Sequence, residues 1–199
     1  SVAAGAGNDS LEDTPTNNYC TLNPLDPSIT VISNGNLAYD TSVAADAKST
    51  FGLTSGKWYC EFTSGGGSSS NGSWLGIVNN PNSRLSTGSP TVCVVTSVGD
   101  QYSPTSTAAV TTGGTWTTND IIGIALDATN KTCDIYKNGS KIWGFTTFTI
   151  DGPYFFSFDR NTTSGSTVTH NVNFGQRAFT HTPPTGYKTL CAASLPEPT

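Results

Sequence analysis

Cleavage of a glycosidic bond on a β-scaffold needs two carboxylates facing each other across a cleft. The chain offers three glutamates, Glu12, Glu61 and Glu197, far apart and with no Glu-x-Asp-x-x-Glu pattern. Asp127, Asp134 and Asp151 fall at expected turns or strand ends, where Asp bonds its local backbone. His170 and His181 have no flanking nucleophile motif, so neither reads as part of a Ser/His/Asp site. Asp100 and Asp159-Arg160-Asn161 stand too isolated for calcium, which gathers six or more oxygens. The five cysteines, Cys20, Cys60, Cys93, Cys133 and Cys191, contain no CxxC pair and offer no zinc cluster. Cys60, Cys93 and Cys133 lie in strand-like runs and are expected as buried free thiols, and an odd count fits assembly in a reducing cytosol. The side chains suited to strong non-covalent contact are Arg84, Tyr102 and Arg160. The expected chemistry is binding, with no catalytic residue, metal or cofactor.

The bulk numbers agree with a binding role. The chain of 199 residues fits one domain with arms. Nine basic residues against fourteen acidic ones give a net charge of −5, and no two Lys or Arg are adjacent. That excludes a basic footprint for nucleic acid or an anionic membrane. The longest apolar stretches, such as Ile121 to Leu126, are strand-sized, so no membrane insertion is expected. Charged residues make up 12 %, while Ser, Thr, Asn and Gly abound, a composition that suits sheets with Ser/Thr outer faces. Met is absent and the first residue is Ser1. That fits either removal of an initiator Met or processing from a longer chain.

Residues 1–27 hold three prolines and little periodicity, and are expected as an extended arm tied down by Tyr19, Leu22 and Leu25. Residues 28–182 read as strands and turns. Lys57 to Phe62 alternates, with Trp58, Cys60 and Phe62 on one face and Lys57, Tyr59 and Glu61 on the other. Further strands are expected at Ser28–Ile32, Trp74–Val78, Thr91–Val95, Ile121–Leu126, Thr132–Lys137, Ser140–Phe145, Tyr154–Phe158 and Val168–Phe174, with a short one near Ala108–Thr112. Asn138-Gly139 between two of them predicts a type I′ hairpin turn. A Pro-rich tail covers 183–199. About ten strands and no long 3.6-residue period predict an all-β, two-sheet antiparallel sandwich. Trp58, Trp74 and Trp143 are expected as core fillers. Gly76 and Gly123 are expected to admit the facing sheet or an aromatic ring.

Five words stand in order over about Thr50 to Gly175: Gly56-Lys57-Trp58-Tyr59-Cys60-Glu61-Phe62, Trp74-Leu75-Gly76-Ile77-Val78, Asp120 to Asp127, Tyr136-Lys137-Asn138-Gly139, and Asn173-Phe174-Gly175. Together they resemble the SPRY domain, a concanavalin A-like sandwich. Asn8 to Thr16, Asn18 to Asp26 and the ending Asn173 to Thr180 with Pro183 to Pro198 are similar to SPRY modules in virion proteins of marine bacteriophages and cyanophages. The resemblance implies a virion structural or binding module of a tail fibre, appendage or capsid surface, assembled in the host cytoplasm and exposed on the particle. Its partners would be other copies, other virion proteins, and a host-surface glycan or protein. The alternative is an intracellular SPRY adaptor, and a glycan hydrolase is disfavoured for want of carboxylates. SPRY domains take partners on loop surfaces, which points to Asn79–Leu85, Asp100–Pro104 and Asp159–Thr163, with Arg84, Asp100, Tyr102, Asp159 and Arg160 as binding candidates.

Overall fold

The computed structural model describes residues 17–26, 31–41, 45–66, 73–85, 91–103, 106–111, 114–145, 148–160 and 168–196. Among these are thirteen strands: β1 (Val31–Ser33), β2 (Ala38–Thr41), β3 (Ala45–Lys48), β4 (Lys57–Thr63), β5 (Ser73–Val78), β6 (Thr91–Thr96), β7 (Asp100–Ser103), β8 (Ser106–Thr111), β9 (Ile121–Asp127), β10 (Thr132–Lys137), β11 (Ser140–Phe145), β12 (Phe155–Arg160) and β13 (Val168–Asn173). They form a seven-stranded sheet in the order β1-β2-β13-β4-β9-β10-β11 and a six-stranded sheet in the order β3-β12-β5-β6-β7-β8. Each pairing of named strands is antiparallel. The sheets pack face to face, which makes the chain the two-layer sandwich that its alternating runs predict.

Period-2 alternation decides which side chains meet between the sheets. From the seven-stranded sheet, Trp58, Cys60, Phe62, Ile122, Ile124, Leu126, Cys133 and Ile135 point inward. Leu75, Ile77, Cys93, Val95, Phe156 and Phe158 meet them from the other sheet. Phe62 stacks on Phe158 at 6.0 Å across the interface. Each fully buried aliphatic or aromatic side chain contributes about 1.5–3 kcal/mol, so this layer supplies most of the driving force. Trp58 and Trp143 belong to it, and all five cysteines are buried free thiols.

The expected outer face of β4 is also covered. Tyr59 and Glu61 are buried because the segment after β13 folds back across them. Glu61 accepts the backbone N–H of Thr180 and of His181, each at 2.8 Å, and Tyr59 meets Phe179 edge-on at 4.9 Å. Tyr59 lies over Gly123, where an added Cβ would stand 2.2 Å from its hydroxyl oxygen, so Gly123 admits an aromatic ring as expected. Gly76 differs. It faces the backbone of its own neighbour β6 and not the opposite sheet.

The segment 187–191 joins the seven-stranded sheet, and 19–23 runs from it to the edge strand β3 of the other, where Asn23 N–H donates to Lys48 O at 2.8 Å. Lys188 runs beside Trp58, its N–H bonded to Lys57 O and its carbonyl to Tyr59 N, both at 3.0 Å. Tyr19 bridges Cys191, and Cys20 N–H donates to Leu190 O at 2.8 Å. Cys20, Leu22 and Leu190 are wholly buried, whereas Leu25, expected as an anchor, is 86 % exposed. Leu25 sits in a tight turn, its N–H bonded to Asn23 Oδ1, which aims its side chain at solvent.

The Lys-Asn-Gly turn and the Asp120 word prove to be one hydrogen-bonded unit. Asn138 and Gly139 take φ values of 48° and 81°, as a type I′ turn requires. Asn138 donates its amide to Asp120 Oδ1 (2.8 Å), and Lys137 reaches Asp120 Oδ2 (3.0 Å). Burial alone would raise the Asp120 carboxyl, but the Thr117 N–H, the Asn138 amide and Lys137 outweigh it and hold it at about 2. This folded value lies below the ordinary 3.8, so the carboxylate stabilises the fold above about pH 4 and ceases to as pH falls towards 2. Asp120→Ala should lower stability at pH 7 by about 1–3 kcal/mol. Urea titrations of the two proteins should converge as the pH approaches 2.

Candidate binding face

The outer face of the six-stranded sheet brings the sequence candidates together. Cross-strand register sets Asp159 of β12 between Asp46 of β3 and Trp74 of β5, and sets Val94 of β6 opposite Tyr102 of β7. Trp74, Val78, Leu85 and Val94 form a second apolar cluster here, with Tyr102 and Phe155 packed against it. Tyr102 stacks on Trp74 with centroids 5.6 Å apart and planes 21° off parallel. Burial, with Asp100 nearby, pushes the Tyr102 hydroxyl above its ordinary range. The phenol is therefore a neutral hydrogen-bonding group at physiological pH.

The segment following β5 is folded back over this cluster. Leu85 is buried in it, and its N–H donates to Asp46 Oδ2 at 3.0 Å. The next residue upstream, Arg84, is held by Asp159, with Nη2 at 3.2 and 3.3 Å from the two carboxylate oxygens. The Asp159 side chain is 1 % exposed and that of Arg84 43 % exposed. A buried carboxylate thus fixes a guanidinium that still faces solvent, with donors to spare in its planar fork.

On the neighbouring strand β3, beside Asp159, a buried charge cluster begins. Lys48 Nζ sits 2.7 Å from Asp26 Oδ2 and 3.3 Å from Asp46 Oδ2. Asp46 also accepts from Ser157 Oγ at 2.9 Å. Burial pushes the Asp46 carboxyl up, and the pull of Lys48 and the hydrogen bonds does not cancel it.

All five candidates were expected on loops, and the structure corrects that for four of them. Asp100 and Tyr102 lie in β7, and Asp159 and Arg160 in β12. Asp-Gln-Tyr-Ser has poor strand propensity and is a strand because β6 offers it a hydrogen-bonding edge. Arg84 is in a connecting segment, as expected. Arg84, Tyr102 and Asp159 share one face, and Asp100 begins the strand that carries Tyr102. The Arg160 side chain and residues 161–163 lie outside the described residues. Trp74 and Asp46 were not among the candidates, and Leu85 was named only as the end of the candidate segment Asn79–Leu85. The available signal was β5 itself, Ser-Trp-Leu-Gly-Ile-Val, which is apolar without alternation and buried at all six positions, the mark of a strand covered on both faces. Among the described residues, no three His, Cys, Asp or Glu side chains assemble as a metal site. No helix of the described residues is long and apolar enough to cross a membrane.

By architecture the chain is an all-β, two-sheet antiparallel sandwich with an apolar and charged outer face on one sheet. More particularly, its fold is that of SPRY domains. The SPRY domain of human HERC1 superposes with a TM-score of 0.58 at 17 % identity, over 83 % of this chain and 99 % of that domain. The TRIM65 PSpry domain gives 0.57 at 10 % identity, over 78 % and 92 %. No protein-family model matches the sequence, and none of the curated proteins compared with it is detectably similar.

Proposed function

We propose that the chain is a non-enzymatic SPRY-type interaction module, and that it serves a bacteriophage as a virion component for assembly and host-surface attachment. The observation that carries the binding role is the Arg84–Asp159 pair beside the Trp74–Tyr102 stack. A half-exposed guanidinium, pre-ordered by a buried acid next to aromatic rings, is the kind of anchor on which interface energy concentrates. The SPRY fold is consistent with the binding role that the sequence resemblance implies, with a protein as partner. The virion assignment rests on the chain-end words that resemble phage SPRY modules.

Mass spectrometry of purified particles tests the virion assignment. A stoichiometric chain is expected, with few copies for a fibre and hundreds for capsid decoration. Its absence from particles would replace this reading with the intracellular adaptor, which the five buried free thiols also suit. For the face itself, Arg84→Ser with Tyr102→Ala should weaken attachment at least tenfold in an adsorption or pull-down assay, about the effect of losing two anchors. Because Arg84→Ser also strips the buried Asp159 of this cation, the thermal midpoint should fall, and attachment is compared well below the midpoint of the variant.

A further inference from the structure

The face that carries Arg84 has a composition that selects among ligands. Trp74, Val78, Leu85 and Val94 are buried, so the apolar surface of this cluster is limited to the partly buried rings of Tyr102 and Phe155. A stable contact with a folded protein takes roughly 800 Å² from each partner around an apolar centre, which two such rings do not supply. Charge narrows the choice further. The three acids Asp26, Asp46 and Asp159 outnumber the two cations Lys48 and Arg84, so no net positive charge is offered to a carboxylate or phosphate. The acids are all buried, and the guanidinium is the member that reaches solvent. The cluster therefore turns N–H donors outward without excess charge.

We propose that the molecule taken on this face is an uncharged stretch of surface glycan, with one pyranose ring stacked on Tyr102 and a nearby sugar hydroxyl accepting from Arg84. The proposal rests on the attachment role and names its ligand. Tyr102 lies with one ring face on Trp74, 21° from parallel, so its exposed part is the opposite face and the rim. The electron-rich face of an aromatic ring attracts the C–H bonds of a sugar, which the ring oxygen and hydroxyls polarise. Stacking on Trp74 also holds the phenol in place before a ligand arrives, which removes an ordering cost. At the other end Asp159 fixes Arg84 through Nη2, and the remaining donors of the planar fork match the hydroxyl oxygens of a sugar. Spacing agrees. Asp159 and Tyr102 stand in β12 and β7, three strand spacings apart in the order β12-β5-β6-β7, about 14 Å, which two or three linked pyranose rings bridge.

Two treatments of host cells separate a glycan from a protein as the ligand. Periodate cleaves the vicinal diols of surface sugars, and proteinase K strips surface proteins. Adsorption of the full chain should be lost after periodate and should persist after proteinase K. Tyr102→Leu keeps apolar bulk without a ring and should lower adsorption about tenfold, whereas Tyr102→Phe, which keeps the ring, should lose far less. Thermal midpoints of both variants keep loss of fold apart from loss of stacking. Adsorption lost to proteinase K and not to periodate overturns the glycan and assigns the face to a surface protein, with the attachment role intact. Equal losses in the two Tyr102 variants overturn the stacking. Adsorption that Tyr102→Leu and Arg84→Ser both leave untouched removes the face from attachment, the reading on which the proposal stands.

Discussion

Lys48→Ala should lower stability by about 3–5 kcal/mol, because it leaves the buried Asp26 and Asp46 without their shared cation. In a chain of this length that corresponds to a fall of roughly 10 °C or more in thermal midpoint. Lys48 is 1 % exposed, so the attraction between it and the two carboxylates is little screened by solvent. The pH dependence follows from Asp46, whose carboxyl is already pushed up by burial. An acid with a folded pKa above its unfolded value weakens the fold when ionised, and the penalty fades as pH falls through the folded value. The gap between wild type and Lys48→Ala should therefore be widest near pH 7 and narrow towards pH 4. Urea titration at the two pH values measures it, and an unchanged gap would show that lost packing, not lost charge, dominates. Because Asp46 also holds Leu85, the variant should loosen the segment that presents Arg84.

Gly76→Ala should be at least as damaging, by about 4 kcal/mol or more, with most of the protein recovered insoluble. A Cβ at Gly76 would stand 2.1 Å from the Cys93 carbonyl oxygen and 3.0 Å from Val94 Cα, both backbone atoms of the adjoining strand. β5 is paired on both sides, so it cannot retreat without breaking a ladder. Gly123→Ala is the informative comparison. There the obstacle is the end of the Tyr59 side chain, so Tyr59→Leu in the same protein should recover much of the loss. No partner of that kind can rescue Gly76→Ala. Soluble yield and denaturation midpoints of the three variants decide between these outcomes.

The contrast among strands shows what local sequence carries. β4 and β10 were legible because apolar residues alternate along them, β9 because it is an unbroken apolar run of strand length, and β11 because Asn-Gly marks its hairpin with β10. β2 (Ala-Tyr-Asp-Thr), β3 (Ala-Asp-Ala-Lys) and β7 (Asp-Gln-Tyr-Ser) lack that signal. They exist because β13, β12 and β6 present them with unpaired backbone groups, a condition that only the assembled sheet sets. The candidate face divides in the same way. Arg84, Tyr102 and Asp159 could be chosen by residue type. That Asp159 grips Arg84 across 75 residues, and that Trp74 lies under Tyr102, depends on the order β12-β5-β6-β7. Spacing along the chain does not encode that order.

The pairing of Tyr19 with Cys191 also governs how the module would bear a load. Both chain ends leave the same end of one antiparallel pair, so tension between them opens that pair one hydrogen bond at a time. Such a peeling geometry yields at far lower force than two strands sliding past each other, where many bonds must fail together. Pulled by its ends, the domain would first release 17–20 and 190–192, uncovering Cys20 and Leu190, while Leu22, bonded to Asn36, and Lys188, bonded beside Trp58, stay with the sheets. The sandwich is thus built with a soft seam at its terminal pair, and the extension gained there would come before any loss of the face that carries Arg84.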